Sequence, residues 1–350
     1  MSILMVLLGH FFISYHTYPG SARALAIAFP ISQLGVEFFF VISGFLITTL
    51  LLKERVTTQS ISLKKFYIRR FFRIIPVAYL YLTLVLFANA ALNLHFNYWL
   101  LFVSFLFLRN FFLHAEGVNN IAAHYWSLSV EEQFYLLFPV MIKRYFSFYI
   151  FLLFSIITLS VLSDPFVLLA KPKGEIVTVG LIFIRQFQSI AVGSLCSIYL
   201  FKYPEHKIQP IPRKSLISAT LFVVILASCV FRTNEPQAVT LFQSILFSAL
   251  MILNLQGEKS LSFRLLNNRW IRFIGVLSYS LYIWQQPLTL NQTFINKLRF
   301  FKPYQNNLPV HLCISVVSLI LLCLVSALSY FCYEQRFLVL KRRFSAETLG

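Results

Sequence analysis

Two adjacent glutamates lie in the middle of an otherwise apolar segment, HYWSLSVEEQFYLLFP, at residues 124–139. Ionisable side chains at membrane depth are costly, and two neighbouring carboxyl groups are hard to explain as packing, so they indicate a functional site. Ser127, Glu131 and Tyr135 recur every four residues, so a helix places all three on one face. Ser127 lacks the GxSxG context of a nucleophile elbow. The supporting residues predicted in the same segment are His124, Trp126 and Gln133.

A histidine in the first apolar run, LMVLLGHFF, is the second candidate. Imidazole titrates nearest neutral pH, so His10 is predicted to be a general base. The alternative is a histidine that only hydrogen-bonds a neighbouring helix. Glu37, in GVEFFFVISGFLIT, is expected near the end of the second span and beside His10. Its alternative is a carboxylate at a water-exposed helix end. As catalytic residues beside His10, either Glu131 or Glu37 is predicted to orient the imidazole or to make it more basic.

Three arginines open the third apolar run, in KKFYIRRFFRIIPVAY. Arg69 and Arg73 are four residues apart and Arg70 and Arg73 three apart, so a helix gathers them into one cationic face. Guanidinium groups near a helix N-terminus bind phosphate through paired hydrogen bonds and the helix dipole. The alternative is a cluster that only anchors the cytoplasmic end of a span.

Membrane helices must position these residues, because the composition is that of a membrane protein. Of 350 residues, 58% are hydrophobic and 12% are charged, against about 25% charged in soluble domains. The net charge of +18 lies in short clusters between apolar runs, which is typical of membrane proteins and argues against nucleic-acid binding. No histidine–cysteine spacing typical of a metal site is present.

Eleven apolar runs are candidates for spans of about 20 residues. They are 1–16, 28–52, 71–92, 97–113, 124–142, 147–163, 180–201, 215–232, 238–256, 271–289 and 309–333. The sequence therefore predicts an all-α polytopic helix bundle, in a single domain over 1–350 with no fused soluble domain.

Charge bias reduces the number of crossings to about ten. Basic clusters at 53–73, 143–144, 202–214, 259–272 and 341–343 all lie on the cytoplasmic side if 97–113 enters the membrane and turns back without crossing. Both termini are then cytoplasmic. The basic cluster at 297–302 is the exception in this topology.

The segments quoted above, in the order in which they occur along the chain, resemble the acyltransferase-3 family of membrane-bound acyltransferases. The resemblance covers nearly the whole chain and rests on His10, the three segments quoted above, IGVLSYSLYIWQQPL at 274–288 and YEQRF at 333–337. It implies that His10 is the catalytic histidine, Arg70 and Arg73 are the family's arginines, and Glu131 is the glutamate of its SLxxE motif. Ser127, Gln133 and Tyr135 fall on motif positions around that glutamate.

The chain departs from the family pattern at two places. An arginine about eleven residues before the histidine would precede Met1, which implies a shortened variant or a misassigned start. A histidine often follows the tryptophan of the late motif, where this chain has Gln285 and Gln286.

The resemblance implies an O-acyltransferase of the bacterial cytoplasmic (inner) membrane. Acetyl-CoA or another acyl-CoA would be the donor substrate, with no permanently bound cofactor. The acceptor would be a hydroxyl of a cell-surface or lipid-linked carbohydrate, such as a lipopolysaccharide O-antigen or an exopolysaccharide. The expected partners are acyl-CoA, this glycan and membrane lipids. The rival class is a transporter or flippase for lipid-linked sugars, whose usual inverted repeats are not visible in the sequence.

Overall fold

A computed structural model describes residues 2–13, 22–112, 121–170, 175–204, 213–229, 237–255, 261–289 and 308–343. Every regular element in these ranges is helical, which confirms the predicted all-α class. The first six α-helices are α1 (Ser2–Ile13), α2 (Ala22–Thr58), α3 (Leu63–Leu92), α4 (Tyr98–Phe105), α5 (Tyr125–Arg144) and α6 (Phe146–Ala170). A 3-10 helix, Arg109–Phe112, lies between α4 and α5.

Eight further α-helices follow α6 in the part of the chain that the structure describes. They are α7 (Glu175–Gln186), α8 (Gln188–Lys202), α9 (Lys214–Ser228), α10 (Gln237–Leu255), α11 (Leu261–Leu266), α12 (Arg269–Thr289), α13 (Leu308–Leu328) and α14 (Gln335–Arg343). A π-helix, Ser329–Glu334, joins α13 to α14. The basic cluster predicted at 297–302 lies outside the described residues.

Within the described residues, six helical stretches are long and apolar enough to cross a membrane, fewer than the ten crossings predicted for the whole chain. They are Pro30–Thr58, Leu63–Leu92, Phe146–Asp164, Gly180–Lys202, Gln237–Leu255 and Cys313–Lys341. Two further apolar helices, Ser2–Phe11 and Lys214–Ser228, are shorter. The remaining predicted spans correspond to α5 and α12, whose polar residues lower their mean hydropathy. The coarse prediction of a polytopic helical protein therefore stands, while the count of ten stays a prediction.

The segment 97–113, predicted not to cross, is broken in the structure. Helix α4 has eight residues, a length of about 12 Å against a hydrocarbon core of about 30 Å. Helix α4 ends at Phe105, two residues before Phe107, which has a positive φ of 53°. A break of this kind agrees with a segment that turns back inside the protein.

The basic connection predicted at 53–73 is almost wholly helical, which corrects the sequence interpretation. Helix α2 has 37 residues and continues through Glu54, and α3 begins at Leu63 after Ser62 caps its N-terminus. Glu54 Oε1 accepts a hydrogen bond from the Ser62 backbone N–H at 2.8 Å, and its other oxygen pairs with Arg69 at 3.3 Å. Intrahelical hydrogen bonds and this pairing let both helices extend past the apolar runs that defined the predicted spans.

Helices α2 and α8 cross at two glycines. A Cβ on Gly44 would lie 2.1 Å from the Ile190 carbonyl oxygen, and one on Gly193 would lie 2.1 Å from the Val41 carbonyl oxygen. The absence of side chains at both positions lets the two backbones touch, as small residues do in membrane bundles. Nearby, the Thr49 and Ser197 hydroxyls share a hydrogen bond of 2.7 Å.

Candidate functional site

Two cavities open between α1, α2, α3, α5 and α12. The arginine chamber has a volume of about 290 Å³ and is lined by Arg70, Arg73, Glu131 and Tyr135, among others. The histidine chamber, also about 290 Å³, is lined by residues that include His10, Gln33, His124, Trp126 and Gln286. The predicted site residues are thus divided between two neighbouring spaces.

Two of the three predicted arginines face the arginine chamber. The Arg70 guanidinium lies 4.9 Å from the ring centroid of Tyr135 and 5.7 Å from that of Phe66, distances at which a cation is attracted to an aromatic face. Arg73 is exposed and lines the same chamber. Arg69 is held by Glu54 instead and does not line the chamber. The single cationic face expected from spacing is therefore a pair of arginines.

Glu131 belongs to the arginine chamber. Its Oε1 accepts a hydrogen bond from Ser43 at 3.0 Å and a second from the Tyr135 hydroxyl. Because Tyr135 also lies under Arg70, the carboxylate fixes the aromatic surface that supports the guanidinium. Glu131 therefore helps to order Arg70 through Tyr135, and the predicted pairing of Glu131 with His10 does not occur in the structure.

The group that contacts His10 is an amide. His10 Nδ1 lies 3.2 Å from Gln285 Oε1, and an amide oxygen can only accept a hydrogen bond. Nδ1 therefore carries the proton in this arrangement, and Nε2 is left with the lone pair that a general base needs. Glu37, the other carboxylate expected beside His10, is buried on α2 and lines neither chamber.

The second histidine of the chamber is held by the next glutamine. Gln286 Oε1 accepts a hydrogen bond of 2.9 Å from the backbone N–H of His124. A backbone N–H is always a donor, so this contact identifies the amide atom as the oxygen. The same oxygen accepts a hydrogen bond from His124 Nδ1. His124 is 5% exposed, so it is fixed more firmly than His10.

The other motif residues of α5 connect it to its neighbours. Ser127 hydrogen-bonds to the Tyr282 hydroxyl of α12. Trp126 lines the histidine chamber and meets Phe40 edge to face at 6.0 Å. Gln133 points elsewhere, and its amide donates to the Phe107 carbonyl oxygen at 2.9 Å. Gln133 thus links α5 by a hydrogen bond to the non-helical residues that follow α4.

The arrangement places groups that can bind an anion next to a group that can accept a proton. Guanidinium groups bind phosphate or carboxylate oxygens, and an imidazole with one nitrogen unprotonated removes a proton from a hydroxyl. The chambers share three lining residues, Val6, Val36 and Tyr282. A substrate bound in one chamber therefore lies next to a substrate bound in the other.

The model of a protein family described as an acyltransferase domain, Acyl_transf_3, matches residues 1–328. The chain belongs to the acyltransferase-3 family. This finding confirms the resemblance seen in the sequence, and together with the six apolar helices it makes the chain a multi-pass membrane protein of an acyltransferase family.

Curated relatives of this acyltransferase-3 chain are named as O-acetyltransferases. The peptidoglycan O-acetyltransferase OatA of Listeria monocytogenes is 27% identical over 283 residues, which are 73% of the chain and 44% of OatA. YrhL of Bacillus subtilis, provisionally named a peptidoglycan O-acetyltransferase, is 27% identical over 329 residues, 86% of the chain and 50% of YrhL. A provisionally named O-acetyltransferase of Staphylococcus aureus is 30% identical over 281 residues, 72% of the chain and 45% of that protein.

The chain spans about half the length of these curated relatives. No solved structure matches it.

Sequence reasoning missed three residues of the site, Tyr282, Gln285 and Gln286. The two glutamines were noticed only as a departure from the family's late motif, where an amide replaces a histidine. The signal that could have identified them was the presence of two adjacent amides in an apolar run, because such groups need partners at membrane depth. Their positions on α12, far along the sequence from α1 and α5, gave no indication of which histidines they contact.

Proposed function

We propose that the chain is a membrane O-acetyltransferase that moves an acetyl group from acetyl-CoA to a hydroxyl of a cell-envelope glycan. The observation that carries the proposal is the contact between two chambers of complementary chemistry. One holds Arg70 and Arg73, and the other holds His10. Family membership supports acyl transfer as the reaction that uses both.

In this proposal, acyl-CoA binds at the arginine chamber. Arg73 is exposed, so it is available to a phosphate arriving from water. Arg70 is less exposed, and its guanidinium packs on the rings of Tyr135 and Phe66. A CoA phosphate would accept hydrogen bonds from both guanidinium groups. The narrow thioester arm would then extend into the chamber towards its shared wall with the histidine chamber.

His10 removes the proton of the acceptor hydroxyl in the histidine chamber. The resulting alkoxide attacks the thioester carbonyl carbon, so a C–O bond forms and the C–S bond breaks. The proton held by His10 passes to the departing CoA thiolate, which leaves as the thiol. Gln285 keeps Nδ1 protonated, so Nε2 is the nitrogen that accepts the proton. General-base assistance of this kind contributes roughly 10²–10⁴-fold.

The proposed acceptor is a glycan of the bacterial cell envelope. Two of the relatives have names that refer to peptidoglycan, which makes peptidoglycan the first acceptor to test. An O-antigen or exopolysaccharide sugar offers the same hydroxyl chemistry and is the alternative acceptor. The proposed location is the cytoplasmic membrane, with both termini in the cytoplasm.

The test compares surface glycans from cells that carry the gene with those from a deletion strain. Peptidoglycan, O-antigen and exopolysaccharide are isolated separately and examined by mass spectrometry for a lost acetyl group. We expect one of the three to lose O-acetylation in the deletion strain and to regain it with the parent gene. Restoration by a His10→Gln gene would contradict the role of His10.

A purified-protein assay separates this function from transport. The chain is reconstituted in vesicles and mixed with radiolabelled acetyl-CoA and the de-O-acetylated glycan. Covalent incorporation of label into the glycan supports a transferase. Movement of a lipid-linked glycan across the vesicle membrane without incorporation of label would favour the transporter or flippase alternative.

A further inference from the structure

We propose that Tyr282, Val6 and Val36 form an aperture that limits the transferred acyl group to a short chain. The inference rests on the proposed function and concerns which acyl-CoA the site accepts. These three residues line both the arginine chamber and the histidine chamber. An acyl group that enters with its CoA at the arginines must pass them to meet a hydroxyl beside His10.

The ring of Tyr282 stands between the two chambers. On one side it stacks on Phe39, with 6.5 Å between ring centroids and an interplanar angle of 15°. Phe39 lines the arginine chamber. On the other side the edge of His124 approaches at 5.6 Å and 73°, and His124 lines the histidine chamber. The phenol thus packs against residues of both chambers and forms one side of the boundary between them.

The hydroxyl of Tyr282 ties the ring to α5. It donates to the His124 carbonyl oxygen at 3.2 Å, and it shares a hydrogen bond with Ser127. Ser127 Oγ also lies 3.1 Å from the same carbonyl oxygen. Because each hydroxyl carries a single proton, the Ser127 proton is donated to the Tyr282 oxygen when Tyr282 donates to the carbonyl. A ring held at its tip by two groups of another helix cannot swing aside without losing both hydrogen bonds.

The two valines complete the aperture from α1 and α2. Val6 and Val36 are 3% and 9% exposed, and their β-branched side chains have little rotamer freedom. The helices that carry them are in close contact, because a Cβ on Gly35 would lie 2.8 Å from the Ser2 carbonyl oxygen. The opening therefore has a fixed size, set by a tethered ring and two stiff side chains.

A fixed opening discriminates by acyl length. While the thioester carbonyl meets the hydroxyl beside His10, the acyl tail lies against the ring and the valines, so each additional methylene needs room that these side chains occupy. One unfitted methylene typically changes kcat/KM by roughly 10- to 200-fold. The parent protein should therefore prefer acetyl-CoA to butyryl-CoA by about 10-fold or more.

The experiment measures kcat/KM for acetyl-CoA, butyryl-CoA and hexanoyl-CoA with the purified full chain in vesicles. De-O-acetylated peptidoglycan fragments serve as the acceptor, and release of the CoA thiol is the readout because it reports transfer to glycan and to water alike. Val36→Ala widens the aperture without touching the tether. Tyr282→Phe keeps the ring and removes the tether. Val41→Ala is the matched control, since Val41 is buried on the same helix and lines neither chamber.

We expect Val36→Ala to raise the butyryl-to-acetyl ratio of kcat/KM by about 10-fold, Tyr282→Phe to raise it by a smaller factor, and Val41→Ala to leave it unchanged. Equal ratios in the parent and in both aperture variants, with acetyl transfer intact, would overturn the aperture and leave the proposed function standing. An increase of the ratio in Val41→Ala equal to that in Val36→Ala would also overturn it. A parent that releases thiol from none of the three donors would overturn both proposals.

Discussion

His10 and His124 share a chamber, but they are held differently. Gln286 contacts both the backbone N–H and the ring of His124, whereas Gln285 contacts only the ring of His10. His124 is buried, and His10 is half-buried. A base must reach a hydroxyl that arrives from outside, so the more accessible imidazole is the better candidate, and His124 is better suited to a positioning role.

Replacement of His10 by glutamine tests this assignment. Glutamine keeps a hydrogen-bonding group in the chamber but cannot accept a proton near neutral pH, so acetyl transfer should fall by about 10²–10⁴-fold. Acetyl-CoA affinity and the yield of folded protein should stay near those of the parent. The measurements are transfer of labelled acetyl to the glycan and equilibrium binding of acetyl-CoA.

His95→Gln is the control for this replacement, because His95 is exposed and lines neither chamber. It should transfer acetyl groups at the parent rate. If His10→Gln does so as well, the base is another residue, and His124→Gln becomes the next variant to measure.

From the arginine chamber we predict how replacement of its two arginines changes the affinity for acetyl-CoA. Arg70→Ala and Arg73→Ala each remove charged hydrogen bonds to a CoA phosphate, a loss of about 2 kcal/mol, or roughly 30-fold in Kd. Arg73→Lys keeps the charge and loses the paired geometry, so its loss should be intermediate. The measurement is titration of the purified protein with acetyl-CoA.

Arg69→Ala is the matched control for donor affinity, since Arg69 is only a few residues away and pairs with Glu54. Its Kd should equal that of the parent. Parent-like affinity in Arg70→Ala and Arg73→Ala would mean that the cluster serves only to orient the helix in the membrane.

At the residue scale, local spacing predicted the members of each cluster but not their partners. The helical period placed Glu131 and Tyr135 on one face, and they do share a hydrogen bond. His10 and Gln285 are 275 positions apart, so no periodicity relates them. Their contact depends on how α1 packs against α12, which a pattern within one helix does not contain.

At the element scale, α5 presents a different group to each neighbour. Glu131 faces the arginine chamber, while Gln133 reaches the broken segment after α4. His124, which immediately precedes the helix, lines the histidine chamber. This division explains why α5 is too polar to be recognised as a long apolar span. The side chains of Ser127, Glu131 and Gln133 are hydrogen-bonded by protein on several sides, which is the arrangement that membrane depth requires.

The sequence predicts that the helices exist more reliably than it predicts where they end. Apolar runs predicted α2 and α3, since their side chains set the transfer energy to lipid. The apolar run predicts that α2 ends before Lys53, whereas the helix continues through Lys53 and Arg55 to Thr58. Charged residues do not stop a helix, and the backbone hydrogen bonds of α2 continue through both of them.

From the close crossing of α2 and α8 we predict that a larger residue at either glycine destabilises the folded protein. Gly44→Ala and Gly193→Ala each place a methyl group against a carbonyl oxygen of the opposite helix, so each should lower the free energy of unfolding by about 2–3 kcal/mol or more. The measurement is thermal unfolding of the protein in detergent. Gly180→Ala is the control, because a Cβ there has open space around it. An unchanged Tm in both crossing variants would contradict the close approach.

At the scale of the whole molecule, the direction of each crossing decides which chamber faces the donor. The sequence predicts that the connection between α2 and α3 is cytoplasmic, because its flanking residues are strongly basic. The Glu54–Arg69 pair and the cap at Ser62 hold this connection together. The arginine chamber lies closer along α3 to this end than to Leu92, which agrees with a donor taken from the cytoplasm.

Cysteine labelling tests this orientation. In a background without the five native cysteines, Gln59→Cys should react with an impermeant maleimide only from the cytoplasmic side, and Tyr98→Cys only from the outer side. Both residues are exposed. Asn119, which lies outside the described residues, should label from the same side as Tyr98 if the segment 97–113 does not cross. Labelling of Tyr98→Cys and Asn119→Cys from opposite sides would refute the ten-span topology.

The glycine contacts between α2 and α8 also restrict which second mutations can restore a damaged gene. The atoms that a new methyl group would meet are the backbone oxygens of Ile190 and Val41, and every residue type carries a backbone oxygen. No replacement at position 190 or 41 can therefore make room for alanine at position 44 or 193. In a genetic selection for revertants of Gly44→Ala, suppressors should arise at sites that let the whole of α8 shift, or as true reversion to glycine, and not at the position in direct contact.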